Sequence, residues 1–149
     1  MTINHPTTDA TLCFIVHQEK ILLIMKKRGF GEGKINGPGG KLVGNETIVE
    51  ATIRETKEET GLIPINPKKQ GVLDFYFGES STPQWRVHVF VAIEFHGALI
   101  ETQEAKGYWS PVEEIPYEKM WEDDKYWLPL ILEGKLLKGK FWFSNDMKK

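Results

Sequence analysis

Five glutamates lie in a short segment, residues 40–62, and this segment constrains the chain more than any other feature. Glu46 stands in its first part, and Glu55, Glu58 and Glu59 follow near its end. Residues i, i+3 and i+4 lie on the same face of an α-helix, so the last three carboxylates share one face. Like charges at this spacing destabilise an isolated helix by roughly 0.2–0.5 kcal/mol per pair. The pattern therefore predicts a bound cation, and hard divalent ions that take oxygen ligands, Mg²⁺ or Mn²⁺, suit these carboxylates best.

The ends of this helix are marked by local signals. Thr47, followed three residues later by Glu50, has the pattern of a capping box. Gly61 is typical of a helix C-terminus, and Pro64 follows it. We therefore predict a helix over about residues 48 to 60. We expect its less polar stripe to consist of Val49, Ile53 and Thr56.

Composition indicates one ordinary globular domain. The chain has 149 residues, of which 40% are hydrophobic and 27% are charged, and this suffices for a buried core. We predict a single domain over residues 1–149 with its core at about 10–143. The formal net charge of −2 gives no electrostatic footprint for a nucleic-acid duplex. An anionic substrate would instead need local basic residues or a metal ion.

Two further features concern the environment of the protein. Cys13 is the only cysteine, which excludes an internal disulfide and fits a reducing compartment. Its apolar neighbours predict a buried strand thiol. The first nine residues show neither a basic start nor an apolar run, and no apolar stretch approaches membrane-spanning length. We expect a cytoplasmic monomer that does not associate with membranes.

Hydrophobic patterns and turn residues predict a mixed α/β architecture. Residues 26–40 are rich in glycine and carry a basic cluster, which predicts a loop that presents its backbone. A second helix is predicted over residues 125–132, with Asp123 and Asp124 at its N-terminal end, where negative charge suits the helix dipole. Short β-rich runs occur at residues 11–16, 21–25, 72–77, 85–95 and 140–143.

The spacing of the glutamate segment resembles the Nudix box. Gly40 is followed after five residues by Glu46, and seven residues later comes the run from Arg54 to Leu62, which reads Arg-Glu-x-x-Glu-Glu-x-Gly-aliphatic. This resemblance implies the Nudix fold of the α/β (α+β) class, a mixed sheet sandwiched between helices with the box as a loop–helix–loop. Thr56 departs from the pattern, since its slot usually holds a bulky aliphatic residue that faces the core.

The resemblance also implies roles for the residues of the box. Glu55, Glu58 and Glu59 would ligate divalent cations. The Gly40 carbonyl would add another oxygen ligand, and Arg54 would orient the carboxylates. The implied chemistry is attack of water on a phosphorus of a nucleoside diphosphate that is linked to another group. Without the fixed offsets of the other box residues, the glutamates would indicate only a solvated acidic helix face.

The group that activates or positions the water is left open. Glu104 lies in a stretch where members of the Nudix family often supply one more carboxylate, as a base or as a further metal ligand. A solvated loop acid is the alternative for this residue. Glu58 competes with Glu104 for the role of general base.

Two further runs resemble the MutT-like branch of the family, whose mammalian-type members hydrolyse oxidised purine nucleoside triphosphates. Residues 25–40 begin Met-Lys-Lys-Arg-Gly-Phe-Gly, and residues 115–130 contain Met-Trp-Glu-Asp-Asp. By this resemblance Trp121 stacks on the purine, and Asp123 and Asp124 hydrogen-bond its edge. The alternative for the two aspartates is a helix N-terminus alone. The resemblance places four further residues in the substrate pocket: Thr11, Lys26, Phe30 and Asn36.

The base preference is open, because Asp74 and Trp85 stand where related enzymes place apolar pocket groups. The main hypothesis is a Mg²⁺-dependent pyrophosphohydrolase. It would convert an oxidised purine (deoxy)nucleoside triphosphate, of the 8-oxo-dGTP or 2-oxo-dATP type, to the monophosphate and pyrophosphate. One alternative is the same chemistry on a canonical or methylated purine nucleotide or on a dinucleoside polyphosphate. Another is a nucleotide-binding module without catalysis, against which the intact glutamates argue.

Overall fold

A computed structural model describes residues 6–28 and 32–143 of the chain, and within them two α-helices accompany ten β-strands. Two short 3-10 turns precede the second helix, at Val112–Glu114 and Tyr117–Lys119. The elements are, in chain order, β1 Thr8–His17, β2 Lys20–Lys26, β3 Ile35–Asn36, β4 Gly39–Lys41, α1 Ile48–Thr60, β5 Leu62–Ile65, β6 Lys68–Phe77, β7 Trp85–Ala92, β8 Glu94–Gly97, β9 Ala105–Pro111, α2 Asp124–Leu132 and β10 Leu137–Phe143.

The main sheet is mixed, as the sequence predicts. Its strands run in the order β10-β6-β7-β1-β2-β3, with β4 also paired to β1 and β9 to β2. The pairs β1–β7 and β10–β6 are parallel, and the other pairs of this sheet are antiparallel. A second, two-stranded sheet joins β5 to β8. The predicted α/β class is therefore confirmed.

Strand β1 carries core residues on both of its faces, because successive side chains of a strand point to opposite sides. Phe14 lies in the cluster that packs against α2, where its ring centroid is 6.0 Å from that of Trp127. Cys13 and Ile15 belong to a second cluster on the other face. Burial raises the pKa of the Cys13 thiol to about 12, so the prediction of a buried strand thiol is confirmed.

The first helix begins and ends where the sequence predicts. The Thr47 side chain accepts from the Glu50 backbone N–H at 3.1 Å, and the Glu50 carboxylate accepts from the Thr47 N–H at 2.7 Å. Gly61 ends the helix with a left-handed φ of 83°, a conformation that glycine adopts without steric cost. Local capping is thus sufficient to set both ends of α1 over Ile48–Thr60.

The predicted less polar stripe of α1 is wrong at Val49 and correct at Thr56, which is buried. Val49 is 44% exposed, and the buried face consists mainly of small and hydroxyl-bearing residues. The hydroxyls of Thr52, Thr56 and Thr60 each donate to the carbonyl four residues earlier, at 2.8, 2.7 and 2.6 Å. Because their polar groups are satisfied inside the helix, these side chains pack like apolar ones. The buried residues of α1 are Ala51, Thr52, Thr56, Glu59 and Thr60.

Several predicted strands differ in extent from those observed. The run at 85–95 breaks at the exposed Ile93 into β7 and β8, and β8 turns away to pair with β5. The predicted loop at 26–40 contains β3 and the start of β4. The strand predicted at 140–143 begins earlier, at Leu137, and forms one edge of the main sheet. Neither described helix combines the length and apolar character needed to cross a membrane.

Candidate active site

A cavity of about 400 Å³ lies where the main sheet, the glycine-rich segment and the start of α2 meet. This volume is within the range of small-molecule sites. Three residues of the glutamate segment, Gly40, Lys41 and Glu59, contribute to its wall. Phe30, also predicted in the pocket, lies outside the described residues. The other six residues predicted to bind substrate all line the cavity: Thr11, Lys26, Asn36, Trp121, Asp123 and Asp124.

Four aromatic residues of the cavity wall were not predicted from the sequence: Phe75, Phe77, Trp127 and Phe143. The strand alternation that directs Phe75 into the cavity directs its neighbour Asp74 to the opposite face, where a carboxylate oxygen accepts from Arg86 Nε at 2.8 Å. The expectation that Asp74 stands at the pocket is therefore wrong, whereas Trp85 does line the cavity. The period-two pattern of β6 was the available signal. The aromatic residues of the wall are Phe75, Phe77, Trp85, Trp121, Trp127 and Phe143.

The two aspartates at the start of α2 are almost fully buried. Asp123 is 6% exposed and Asp124 is 3% exposed. Asp123 Oδ2 accepts a hydrogen bond from Trp127 Nε1 at 2.8 Å, and its side chain makes no capping bond to the helix backbone. The Asp124 charge and, above all, burial raise the pKa of Tyr117. The Asp123 side chain therefore does not act as a helix cap, which was the alternative role predicted for it.

Three lysines line the same cavity and supply positive charge. Lys26 Nζ lies 3.8 Å from Glu59 Oε2. Lys34 Nζ lies 5.4 Å from the ring centroid of Trp121, and Lys41 Nζ lies 5.2 Å from that of Trp85. Both lie within the distance at which a cation is attracted to an aromatic face. This charge suits an anionic ligand, and Lys34 and Lys41 were not singled out from the sequence.

Arg54 joins the carboxylates of the glutamate segment. Its guanidinium donates to both oxygens of Glu46, at 2.7 and 2.9 Å. It also donates to Glu55 at 2.5 Å and to Glu58 at 2.8 Å, and to the Lys41 carbonyl at 3.1 Å. These bonds, led by those to Glu46 and Glu58, raise the pKa of Arg54. One cation thus holds three carboxylates in fixed relative positions.

Glu55 and Glu59 are carboxylates that have been largely removed from water. Burial is the main cause that raises the pKa of Glu55, and it raises the pKa of Glu59 to about 7 against the opposing effects of the Gly39 N–H and Lys26. That N–H donates to Glu59 Oε1 at 2.8 Å. At Gly40, a Cβ would lie 1.7 Å from Glu55 Oε2. Only glycine therefore permits this approach of the backbone to the carboxylate.

Glu104 is held apart from these groups in an exposed ion pair. Arg28 Nε donates to Glu104 Oε1 at 2.8 Å, and this hydrogen bond is the main cause that lowers the pKa of Glu104. Lys26 interacts electrostatically with Glu55, Glu59 and Glu104. Glu104 is thus oriented toward Arg28, on the side of the site where Lys26 stands, and its predicted role stays a prediction.

The donor set fits a hard divalent cation, although it is not assembled into a cage. Among the described residues, no three His, Cys, Asp or Glu side chains converge into a preformed metal site, since Arg54 and Lys26 hold the carboxylates instead. The available ligands are carboxylate and carbonyl oxygens, which Mg²⁺ prefers. The half-buried Glu55 and the buried Glu59 repel each other, so a cation between them would relieve both repulsion and desolvation.

Comparison with known protein families identifies the family of this chain. Residues 6–131 match the NUDIX domain. The chain belongs to the NUDIX family. The predicted resemblance is therefore confirmed, and the chain is a Nudix hydrolase. Nudix hydrolases generally need a divalent metal ion.

Named Nudix relatives cover most of the chain. An oxidized purine nucleoside triphosphate hydrolase of Mus musculus is 40% identical over 136 residues, which are 91% of this chain and 86% of the mouse protein. The protein of the same description from Danio rerio is 43% identical, with the same coverage. The crystal structure of a MutT protein from Bacillus halodurans superposes with a TM-score of 0.83 at 29% identity, covering 95% of this chain and 93% of that one.

Proposed function

We propose that this Nudix hydrolase is a Mg²⁺-dependent pyrophosphohydrolase that converts oxidised purine (deoxy)nucleoside triphosphates to the monophosphate and pyrophosphate. One observation carries the proposal. A tryptophan and two adjacent buried aspartates share the wall of one cavity with Glu59 and Gly40 of the box. A single ligand can therefore reach a base-binding end and a phosphate-binding end at the same time. The relatives named for oxidized purine nucleoside triphosphates support the same substrate class.

The base end suits a purine with a changed hydrogen-bonding edge. Stacking on an aromatic side chain such as Trp121 contributes about 1–3 kcal/mol and tolerates any base. Asp123 and Asp124 are adjacent and buried in the cavity wall. Their carboxyl oxygens can form hydrogen bonds with the altered edge of an oxidised purine, with Asn36 as a further polar group in the wall.

The phosphate end is formed by the box and the basic residues. Glu55, Glu58, Glu59 and the Gly40 carbonyl would hold Mg²⁺, which when bound neutralises phosphate charge and increases the acidity of water. Arg54 keeps these carboxylates in place through the bonds described above.

Lys26 lies beside Glu59 in the cavity wall, where its charge attracts a polyphosphate. Glu58, 54% exposed at its side chain, and Glu104 are the two candidates for the group that takes the proton of the attacking water. Both hydrogen bonds from Arg28 to Glu104 fall on the same carboxylate oxygen, Oε1.

A substrate panel tests the proposal directly. Purified protein is incubated with 8-oxo-dGTP, 2-oxo-dATP, dGTP or dATP and Mg²⁺, and the products are separated and identified. We expect monophosphate and pyrophosphate, a higher kcat/KM for the oxidised nucleotides, and loss of turnover in chelator that Mg²⁺ or Mn²⁺ restores. A preference for the unmodified triphosphates would contradict the assigned substrate, and full turnover in chelator would contradict the assigned chemistry.

Three accompanying expectations stay predictions. The cytoplasmic location and the monomeric state rest on the sequence alone. The expected lack of affinity for a nucleic-acid duplex rests on the net charge of −2.

A further inference from the structure

Two buried polar atoms on neighbouring strands have no hydrogen-bond partner within the described part of the chain, Thr11 Oγ1 and His88 Nδ1. The two residues are register partners in the parallel pair β1–β7. Partners in register point to the same face of a sheet, so their side chains are neighbours. Thr11 is 1% exposed and His88 is 5% exposed, which removes bulk water as an alternative partner. Buried polar atoms are rarely left unpaired.

The chemistry of the two atoms is complementary. His88 Nε2 lies 3.0 Å from Asp9 Oδ1. An ionised carboxylate only accepts hydrogen bonds, so Nε2 carries the hydrogen and Nδ1 of the neutral ring is an acceptor. The Thr11 hydroxyl is a donor. Each atom therefore offers what the other lacks, and one buried water would satisfy both.

Thr11 also contacts the backbone of β4, at Gly39 and Gly40. Its Cα partner in β4 is Gly40, and a Cβ on Gly39 would lie 1.9 Å from the Thr11 carbonyl oxygen. The Gly39 N–H holds Glu59. A displacement of Thr11 on β1 would therefore be transmitted both to the cavity wall and to a box carboxylate.

We propose that His88 is a positioning residue whose Nδ1 is linked to the Thr11 hydroxyl through one buried water, while Asp9 fixes the ring tautomer. These three residues link β1 to β7 at the cavity and hold Thr11, together with Gly39 and Gly40 of β4, in position. Its structural part stands on the geometry of β1 and β7, and its consequence for turnover rests on the proposed function.

Nuclear magnetic resonance of the intact protein tests the hydrogen bond without substrate. Protein labelled with ¹⁵N-histidine should show His88 as the tautomer protonated at Nε2, with Nδ1 accepting a hydrogen bond. Thr11→Val removes the hydroxyl at nearly constant volume, and it should move the Nδ1 resonance downfield to the position of an unbonded nitrogen. A resonance unchanged by Thr11→Val, or a ring protonated at Nδ1 alone, would overturn the proposal.

Two isosteric variants separate the two ring nitrogens. Asparagine places a polar group near the position of Nδ1, and glutamine places one near that of Nε2. We expect His88→Asn to keep kcat/KM within about threefold of wild type and His88→Gln to lower it by roughly tenfold, the scale of one buried polar group left unpaired. The reverse order, or equal activity of both variants, would overturn the assignment to Nδ1.

A double-mutant cycle gives a readout of stability that does not depend on the substrate. The unfolding free energies of Thr11→Val, His88→Gln and the double variant should not be additive, because either single change already breaks the same water-mediated link. Additive losses would overturn the pairing. Failure of the proposed function would show itself differently, as wild-type protein that leaves the oxidised triphosphates unhydrolysed while the resonance and the cycle behave as expected.

Discussion

Replacing Gly40 by alanine tests the close packing of the backbone against Glu55. The new Cβ would lie 1.7 Å from Glu55 Oε2 and 2.6 Å from its Cδ. Favourable contacts between carbon atoms begin near ~3.5 Å, so the carboxylate must retreat by about 2 Å. A glutamate side chain is flexible, and we expect the melting temperature to fall by no more than about 4 °C. The carboxylate nevertheless leaves its position, and a misplacement of about 1 Å can lower a catalysed rate about 10²-fold.

We therefore expect Gly40→Ala to lower kcat/KM by about 10²-fold and to raise the Mg²⁺ concentration that gives half-maximal rate. The assay is pyrophosphate release over a Mg²⁺ titration, paired with thermal unfolding of the same samples. Gly139→Ala is the matched control, because its Cβ would meet Leu73 and Phe141 at 3.2 Å in β10, outside the box. It should keep full activity. A Gly40→Ala variant with wild-type kcat/KM and Mg²⁺ dependence would refute the view that this close approach positions Glu55.

Three further predictions address the base pocket, the general base and the cysteine. Asp123→Asn and Asp124→Asn should each change the ratio of kcat/KM between 8-oxo-dGTP and dGTP and leave Mg²⁺ dependence unaltered, since each replaces one carboxyl oxygen by an amide donor. A constant ratio would leave the pair with a structural role only. If Glu104 is the base, steady-state kinetics of Glu104→Gln should show kcat lowered by roughly 10²–10⁴-fold and KM nearly constant. A Glu104→Gln variant with the kcat of wild type would leave Glu104 only as the exposed ion-pair partner of Arg28. Burial raises the pKa of Cys13 to about 12, so a thiol reagent at pH ~8 should modify the unfolded chain and spare the folded one. The free energy of unfolding should be unaffected by this group below the pKa of the thiol in the unfolded chain, and it should decrease as the pH rises from there toward about 12. Rapid labelling of the native protein would contradict this.

The ends of α1 were predictable because their causes are local. Thr47 and Gly61 act within one turn of the helix, through bonds that depend on residues three or four positions away. The strands β3 and β4 were not predictable in the same way. They contain two and three residues, too few to show periodicity, and they form because β2 and β1 supply partners.

The cavity was predicted in part, and for a different reason. Trp121, Asp123 and Asp124 were found through a motif, which summarises a known site without requiring the fold to be derived. The period-two pattern of β6 places Phe75 and Phe77 on one face of the strand. That this face lines the cavity follows from the register that β6 makes with β7, where Phe75 pairs with Trp85. The ion pair between Arg28 and Glu104 joins residues 76 positions apart, so no local pattern announces it. The single-domain boundary at 1–149 stays a prediction.

The three threonines on the buried side of α1, Thr52, Thr56 and Thr60, determine which substitutions this helix tolerates. Each hydroxyl donates its hydrogen to a carbonyl of the same helix. Thr60 Oγ1 also accepts from the Leu62 N–H of β5 at 3.1 Å, and Thr56 is hydrogen-bonded to Cys13 of β1. Exchange of Thr52 for valine therefore removes a donor that only the helix uses, whereas exchange of Thr60 leaves the Leu62 N–H without this acceptor. Position 52 on the inner surface of α1 can therefore hold a threonine or a valine of nearly the same shape. Related chains should vary more at this position than at Thr60 or at the glutamates of the same helix.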